Sequence, residues 1–179
     1  MINDITALRA DTRLAGLAAD RGIPLVLMHS VGMPGEMRHE IRHQDVVATI
    51  SQSLAESISA AEAEGVEDII IDPGFGFGKS TADNLQLVAS LGEFRSFGHP
   101  VMIGASRKAT IGSVLATGPE PRPVEGRMYG SLAVAAAAVM NGASILRVHD
   151  VGPTRDVVDV LHALNASSRA LQPVVEEGA

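Results

Sequence analysis

Short, continuously apolar runs that alternate with stretches of helical periodicity constrain this chain more than any other feature. Four such runs are Ile23-Pro24-Leu25-Val26-Leu27-Met28, Asp68-Ile69-Ile70-Ile71-Asp72, Pro100-Val101-Met102-Ile103-Gly104 and Ser144-Ile145-Leu146-Arg147-Val148-His149. A strand with one wetted face alternates apolar and polar residues; a strand apolar throughout is covered on both faces, as in a parallel sheet. Between the runs, Val46, Val47, Ile50, Leu54 and Ile58 recur at helical spacing, as do Leu85, Val88, Leu91 and Phe94. The run 132–140 and the set Val157, Val160, Leu161 and Leu164 mark two further helices. Gly22, Gly65, Gly98 and Gly142 stand near predicted helix ends, where a left-handed cap is commonly needed. Ile2-Asn3-Asp4-Ile5 reads as the end of another strand, with a helix predicted from about residue 7 to residue 21.

The pattern is therefore α/β, a strand–helix unit repeated about five times with parallel strands and no linker between units. Such repeats build either an open doubly wound sheet or a (β/α)8 barrel. A complete barrel takes eight units and typically ~250 residues. The 179 residues of this chain hold about three units fewer, which predicts a partial barrel. One unit is expected over residues 1–166, with a loose tail over 167–179.

Composition removes several functions. A net charge of -7 argues against a general nucleic-acid binder, and 3% aromatic residues against a base-stacking platform. With no cysteine, a thiol nucleophile or a Cys-ligated metal is excluded. The most apolar run, 132–140, is far short of the ~20 residues a membrane span needs. Neither a basic start nor an apolar signal region opens the sequence, so a soluble, cytoplasmic protein is expected. Lysine is nearly absent: Lys79 and Lys108 are the only two, each in a glycine-containing segment after an apolar run.

Chemistry-bearing residues gather where the strands end. Asn3, His29-Ser30, Asp72, Ser106-Arg107-Lys108, and Arg147 with His149-Asp150 each follow an apolar run. Loops converge on one pocket at that face of a parallel α/β fold. The segment Pro73-Gly-Phe-Gly-Phe-Gly-Lys79-Ser80 superficially suggests a phosphate loop. Pro73 stands where a Walker motif needs Gly, and Lys79 where a dinucleotide fingerprint needs one. The glycines are read instead as letting the loop approach a flat ligand. His39-Glu40-Ile41-Arg42-His43 matches the pattern of zinc proteases, but no third ligand follows and it reads as a solvated helix start. Arg147 and His149 alternate on a predicted strand and so share a side, suited to a phosphate or diphosphate. Asp72 ends an isoleucine-rich strand, and a buried carboxylate there needs donors, which a ligand with adjacent N–H groups would supply.

Asp72-Pro-Gly-Phe-Gly-Phe-Gly-Lys79, Gly104-Ala-Ser-Arg-Lys108 and Arg147-Val-His-Asp150 resemble three signature stretches of the dihydropteroate synthase family, in order and spacing. Ile2-Asn3-Asp4-Ile5 and Leu27-Met28-His29 resemble two more, so the likeness covers nearly the whole chain. The resemblance implies a (β/α)8 (TIM) barrel of folate biosynthesis, a transferase and sulfonamide target. Such an enzyme joins 6-hydroxymethyl-7,8-dihydropterin diphosphate to p-aminobenzoate and releases diphosphate with Mg2+ present. It also implies roles. Asp72 and Asn3 would contact the pterin, Lys108 its carbonyl and ring nitrogen, and Arg147 its ring face. Arg147 and His149 would hold the diphosphate, with Lys108, Arg147 and His149 carrying the catalysis. Phe77 and Ser106 would border the p-aminobenzoate pocket.

In that family three further strands precede the Asn-Asp-Ile segment, together with a Mg2+-binding Asn, a loop over the aminobenzoate and a second pterin-binding Asp. No counterpart to them occurs in these 179 residues. The expectation is a portion of a longer protein, or a chain completed by a partner, with a homodimer favoured. No protein metal ligand is expected, and Mg2+ would be bound mainly through the diphosphate. Two other functions fit the residues: a truncated, non-catalytic pterin-binding module, and a methyltetrahydrofolate-binding methyltransferase domain.

Overall fold

A computed structural model of the chain describes residues 1–32 and 45–170. Among them, five strands run β1 (Ile2–Asp4), β2 (Leu25–Met28), β3 (Ile69–Asp72), β4 (Met102–Ile103) and β5 (Ile145–Leu146). They alternate with helices α1 (Arg13–Arg21), α2 (Val46–Ala63), α3 (Thr81–Ala89), α4 (Ala109–Val114), α5 (Met128–Met140) and α6 (Val151–Ala170). Each paired strand lies parallel to its neighbour: β1 on β2, β2 on β3, and β4 on β5. A single parallel bridge, Ile71 to Val101, joins the two groups, so the five strands follow one another in chain order. That order, with a helix returning over the sheet each time, is the arc of a barrel rather than a doubly wound sheet, whose strand order reverses.

Register assigns the two faces. Leu25, Leu27, Ile69, Ile71, Val101 and Ile103 join Ile50, Leu54, Leu87, Leu91 and Phe94 in the main core. Because successive strand residues point to opposite sides, Asn3, Val26, Met28, Ile70, Asp72 and Met102 face inward. Val26, Met28 and Met102 are nonetheless buried, so both faces are covered, as the unbroken apolar runs required. Gly22, Gly65, Gly98 and Gly142 all take positive φ, as expected of the cap positions.

Two expected helices are shorter than the periodicity suggested. The stretch from residue 7 cannot be helical, because Ala7 and Leu8 have φ of 49° and 66°. Asp4 is the cause: its carboxylate accepts from the Thr6 and Leu8 amides at 2.8 and 2.6 Å and from the Thr6 hydroxyl at 2.7 Å. A side chain that captures backbone donors competes with the helix ladder, and α1 begins only at Arg13. The second set divides at Ser90 into α3 and a 3-10 segment, Leu91–Phe97. At the other end, α6 runs to Ala170, into the stretch expected as tail. The short α4 was not foreseen, since its Thr, Ile, Gly and Val are weak helix formers.

Candidate functional site

Asp72 closes β3 and is 1% exposed. One carboxylate oxygen accepts the Gly74 amide at 2.8 Å, and the other lies 4.0 Å from the Arg147 guanidinium. Burial pushes this carboxyl above the usual range, opposed by the Gly74 hydrogen bond and by Lys108, Arg147 and Lys79. A group so placed is one oxygen short of donors, and a ligand bringing N–H groups would hold it ionised.

The loop after Asp72 folds tightly on the end of β2. Gly74 has φ of 74°, and a Cβ on it would overlap the His29 carbonyl oxygen. Only glycine meets both conditions. Two residues on, the Gly76 amide donates to Asn84 Oδ1 at 2.6 Å. Asn84 in turn donates to the Thr110 hydroxyl at 3.0 Å, tying the loop and α3 to α4. Its position on the same helical stripe as Leu87 and Val88, among core residues, was the signal that it had internal partners.

Lys108 stands at the start of α4 and reaches back across this loop. Its ammonium donates to the Phe75 carbonyl and sits 4.0 Å from the centre of the Phe77 ring. A cation over a ring face is attracted by the quadrupole, so Phe77 and Lys108 position each other. Burial lowers the Lys108 pKa to about 8, with Asp72 opposing and Arg147 adding to the shift. The other lysine lies behind the loop. Lys79 is 4% exposed, and burial lowers its pKa to about 7 against the pull of Asp72.

That displacement sets a pH dependence of stability. The unfolded chain keeps the Lys79 proton up to about 10.5, whereas the folded chain releases it near 7. Between those values the unfolded state binds more protons, so stability rises with pH. The unfolding midpoint is expected to climb by several degrees from about pH 7 to about pH 9. Lys79→Met should flatten most of that climb, leaving the smaller part due to Lys108; a midpoint with the same slope in the variant would refute the assignment.

The segment after the last strand contributes Arg147, His149 and Asp150. The expectation that Arg147 and His149 lie on a strand is corrected, because β5 ends at Leu146 where its partner β4 ends. The Arg147 amide still donates to the Ile103 carbonyl at 3.0 Å, and its side chain covers Gly104, where a Cβ would strike the guanidinium. His149 turns to Ser106 instead, with Nδ1 3.0 Å and the backbone amide 3.2 Å from the hydroxyl. Ser106 is thus occupied by His149. Arg107, with φ of 58°, pairs with Asp150 through contacts of 2.9 and 2.5 Å, fastening the β4 loop to the β5 loop. Sequence reasoning saw these residues at the strand ends but not their pairing.

Asp72, Phe77, Lys108 and Arg147 thus form one cluster, while Ser106 and His149, bonded to each other, stand two residues from Lys108 and Arg147 in the chain. Asn3 is exposed, on the inward face of β1, in register with Val26 and Ile70. It lies one layer below Asp72 and two strands away, roughly 12 Å by strand spacing. Asn3 and Asp72 can therefore touch one ligand only from separated edges. The pair His39 and His43 lies outside the described residues. Among the described residues, no group of three or more His, Asp or Glu side chains could hold a metal ion. No helix among them is long and apolar enough to cross a membrane.

A family model described as pterin binding enzyme matches residues 1–149. The dihydropteroate synthase of Escherichia coli strain K12 is 41% identical over 165 residues, which cover 91% of this chain and 56% of that protein. The chain therefore spans about half the length of that relative. A crystal structure of dihydropteroate synthase from Stenotrophomonas maltophilia, with imidazole in its active site, superposes with a TM-score of 0.86 at 40% identity. The match covers 93% of this chain and 62% of that one. The Thermus thermophilus enzyme matches in complex with 4-aminobenzoate (TM-score 0.83, 41% identity, 91% of this chain and 65% of that one). Its complex with 6HMPPP matches with a TM-score of 0.82 at 43% identity, over 91% of this chain and 63% of that one.

Proposed function

The chain belongs to the pterin-binding enzyme family, and on that footing we propose that it acts as a dihydropteroate synthase in folate biosynthesis. The observation that carries this reading is the convergence of Asp72, Lys108 and Arg147 at the strand ends, with Phe77 beside Lys108. Asp72 Oδ2, free of the Gly74 amide, accepts from the amino-pyrimidine edge of a dihydropterin, and Asn3 meets the ring from the deeper side. Lys108 holds the pterin carbonyl and ring nitrogen. Arg147 lies along the ring face, where a planar guanidinium stacks well. Phe77 and Ser106 border the p-aminobenzoate, and Arg147 with His149 receives the diphosphate.

In the reaction the methylene C–O bond breaks and diphosphate leaves with the electron pair. The arylamine nitrogen then bonds to the methylene carbon and loses its proton to solvent. The electron-rich pterin stabilises the carbon centre, so the protein mainly orients the reactants and neutralises the departing anion. In this reading Mg2+ is bound mainly through the diphosphate, whose charge it would balance. Residues 1–166 form the pterin-binding unit of a cytoplasmic homodimer in the same reading. Exposed Tyr129 and Met140 on α5, and Val151, Val160 and Leu164 on α6, support a partner there.

The test is product formation by the full chain from the dihydropterin diphosphate and p-aminobenzoate with Mg2+. Dihydropteroate that disappears with Lys108→Ala is the expected result. A folded chain that binds the pterin but forms no product would overturn the transferase reading in favour of a binding module.

A further inference from the structure

Lys79 is a buried charged group that the proposed reaction leaves without a task. Its ammonium donates to the Gly74 carbonyl at 2.8 Å and to the Phe77 carbonyl at 3.3 Å, and lies 3.0 Å from His29 Nδ1. With His29 protonated on Nε2, all three N–H groups find acceptors, which is what a buried ammonium requires. The first two acceptors belong to opposite ends of one loop, and the third to the end of β2. The Phe77 amide closes the same loop by donating to the Gly74 carbonyl at 3.2 Å, and the Val31 amide meets the Phe77 carbonyl at 3.4 Å. The 74–78 loop is therefore held between two lysines. Lys79 grips it from the core side, and Lys108 touches it from the pocket side through Phe75 and Phe77.

Such an arrangement gives the Lys79 amine acceptors for its N–H groups at a place where burial disfavours its charge. Three left-handed glycines, with φ of 74°, 84° and 72°, give the loop little stiffness of its own. The Phe77 ring nonetheless has to stay against Lys108 to form a wall. We propose that Lys79 is a positioning residue for the arylamine, acting through Phe77 by pinning both ends of the 74–78 loop to the end of β2. This rests on the transferase reading above. Asp72, which takes the pterin in that reading, is fixed by β3 and by the Gly74 amide, so the pterin half of the site touches the Phe77 side of the loop only through Lys108 and depends on it less than the arylamine half does.

The experiment measures two affinities in the full 179-residue chain by calorimetry: dihydropterin diphosphate alone, and p-aminobenzoate with diphosphate and Mg2+ present. Lys79→Met is expected to weaken p-aminobenzoate about tenfold or more and the pterin ligand by a clearly smaller factor, the remainder of its effect on Asp72. Phe77→Ala is expected to give the same bias, a larger loss for p-aminobenzoate than for the pterin ligand. The double variant should then bind p-aminobenzoate no worse than Phe77→Ala alone, since the two residues act as a unit. Equal weakening of both ligands, or full additivity in the double variant, would overturn the inference and leave Lys79 a general support of the fold. If Lys79→Met does not fold, Lys79→Gln, a shorter side chain with two N–H donors in place of three, carries the same comparison, and unchanged arylamine affinity there would also overturn it. An unaltered chain that binds the pterin but not p-aminobenzoate would bring down the transferase reading and this inference together, an outcome distinct from the others.

Discussion

Asp72→Asn is expected to lower affinity for the dihydropterin about 100-fold or more, roughly 3 kcal/mol, without unfolding the chain. The direction follows from how an amide would sit. The Gly74 amide, 2.8 Å from Asp72 Oδ1, demands an acceptor, so the Asn carbonyl oxygen turns to Gly74. The Asn NH2 group then faces the pocket, donor against the donors of the amino-pyrimidine edge. Two hydrogen bonds to a charged acceptor are lost and one clash is gained. Fold stability should change little, because the substitution also removes the cost of a buried charge. The acid limb of binding gives a second signature. In the unaltered chain affinity falls as pH drops and the carboxylate, its pKa raised by burial, takes up a proton. In Asp72→Asn that limb should vanish. Pterin affinity unchanged by calorimetry would remove Asp72 from the site.

Lys108→Ala is expected to reduce turnover by about 1,000-fold, through loss of both a charged donor and the orientation of Phe77. With its pKa lowered to about 8, Lys108 is a cation below that value and a neutral amine above it. Pterin affinity should therefore fall as pH rises through about 8, and Lys108→Arg should keep its affinity further into alkali. Together with Asp72 this gives a bell-shaped binding profile with a carboxylate on the acid side and a lysine on the alkaline side. A Lys108→Ala chain with unchanged turnover, or an alkaline limb that survives the substitution, would sink this role.

The sequence was most informative about where the site lies and least about how it is wired. Unbroken apolar runs pointed to parallel strands covered on both faces, and Leu25 and Ile71 on one side with Val26 and Met28 on the other bear this out. Polar residues after each run pointed to a candidate site at the strand ends, where Asp72, Lys108 and Arg147 come together. The wiring was hidden because its partners are far apart in the chain. His29 and Lys79 are 50 residues apart, Arg107 and Asp150 are 43, and Phe75 and Lys108 are 33. Periodicity carries no information about such pairs, and the glycines between them leave the side-chain directions open. Asp4 illustrates the same blindness locally. Its capture of two amides ended the strand and delayed α1, a competition that helix periodicity alone cannot register.

The central claim, that the strand-end cluster is a pterin pocket, is tested most directly by one titration of the full chain. The ligands are 6-hydroxymethyl-7,8-dihydropterin diphosphate and, separately, methyltetrahydrofolate. Saturable one-to-one binding of the diphosphate is expected, about tenfold or more tighter than methyltetrahydrofolate and lost in Asp72→Asn. A folded chain that binds neither, or that prefers methyltetrahydrofolate, would contradict it.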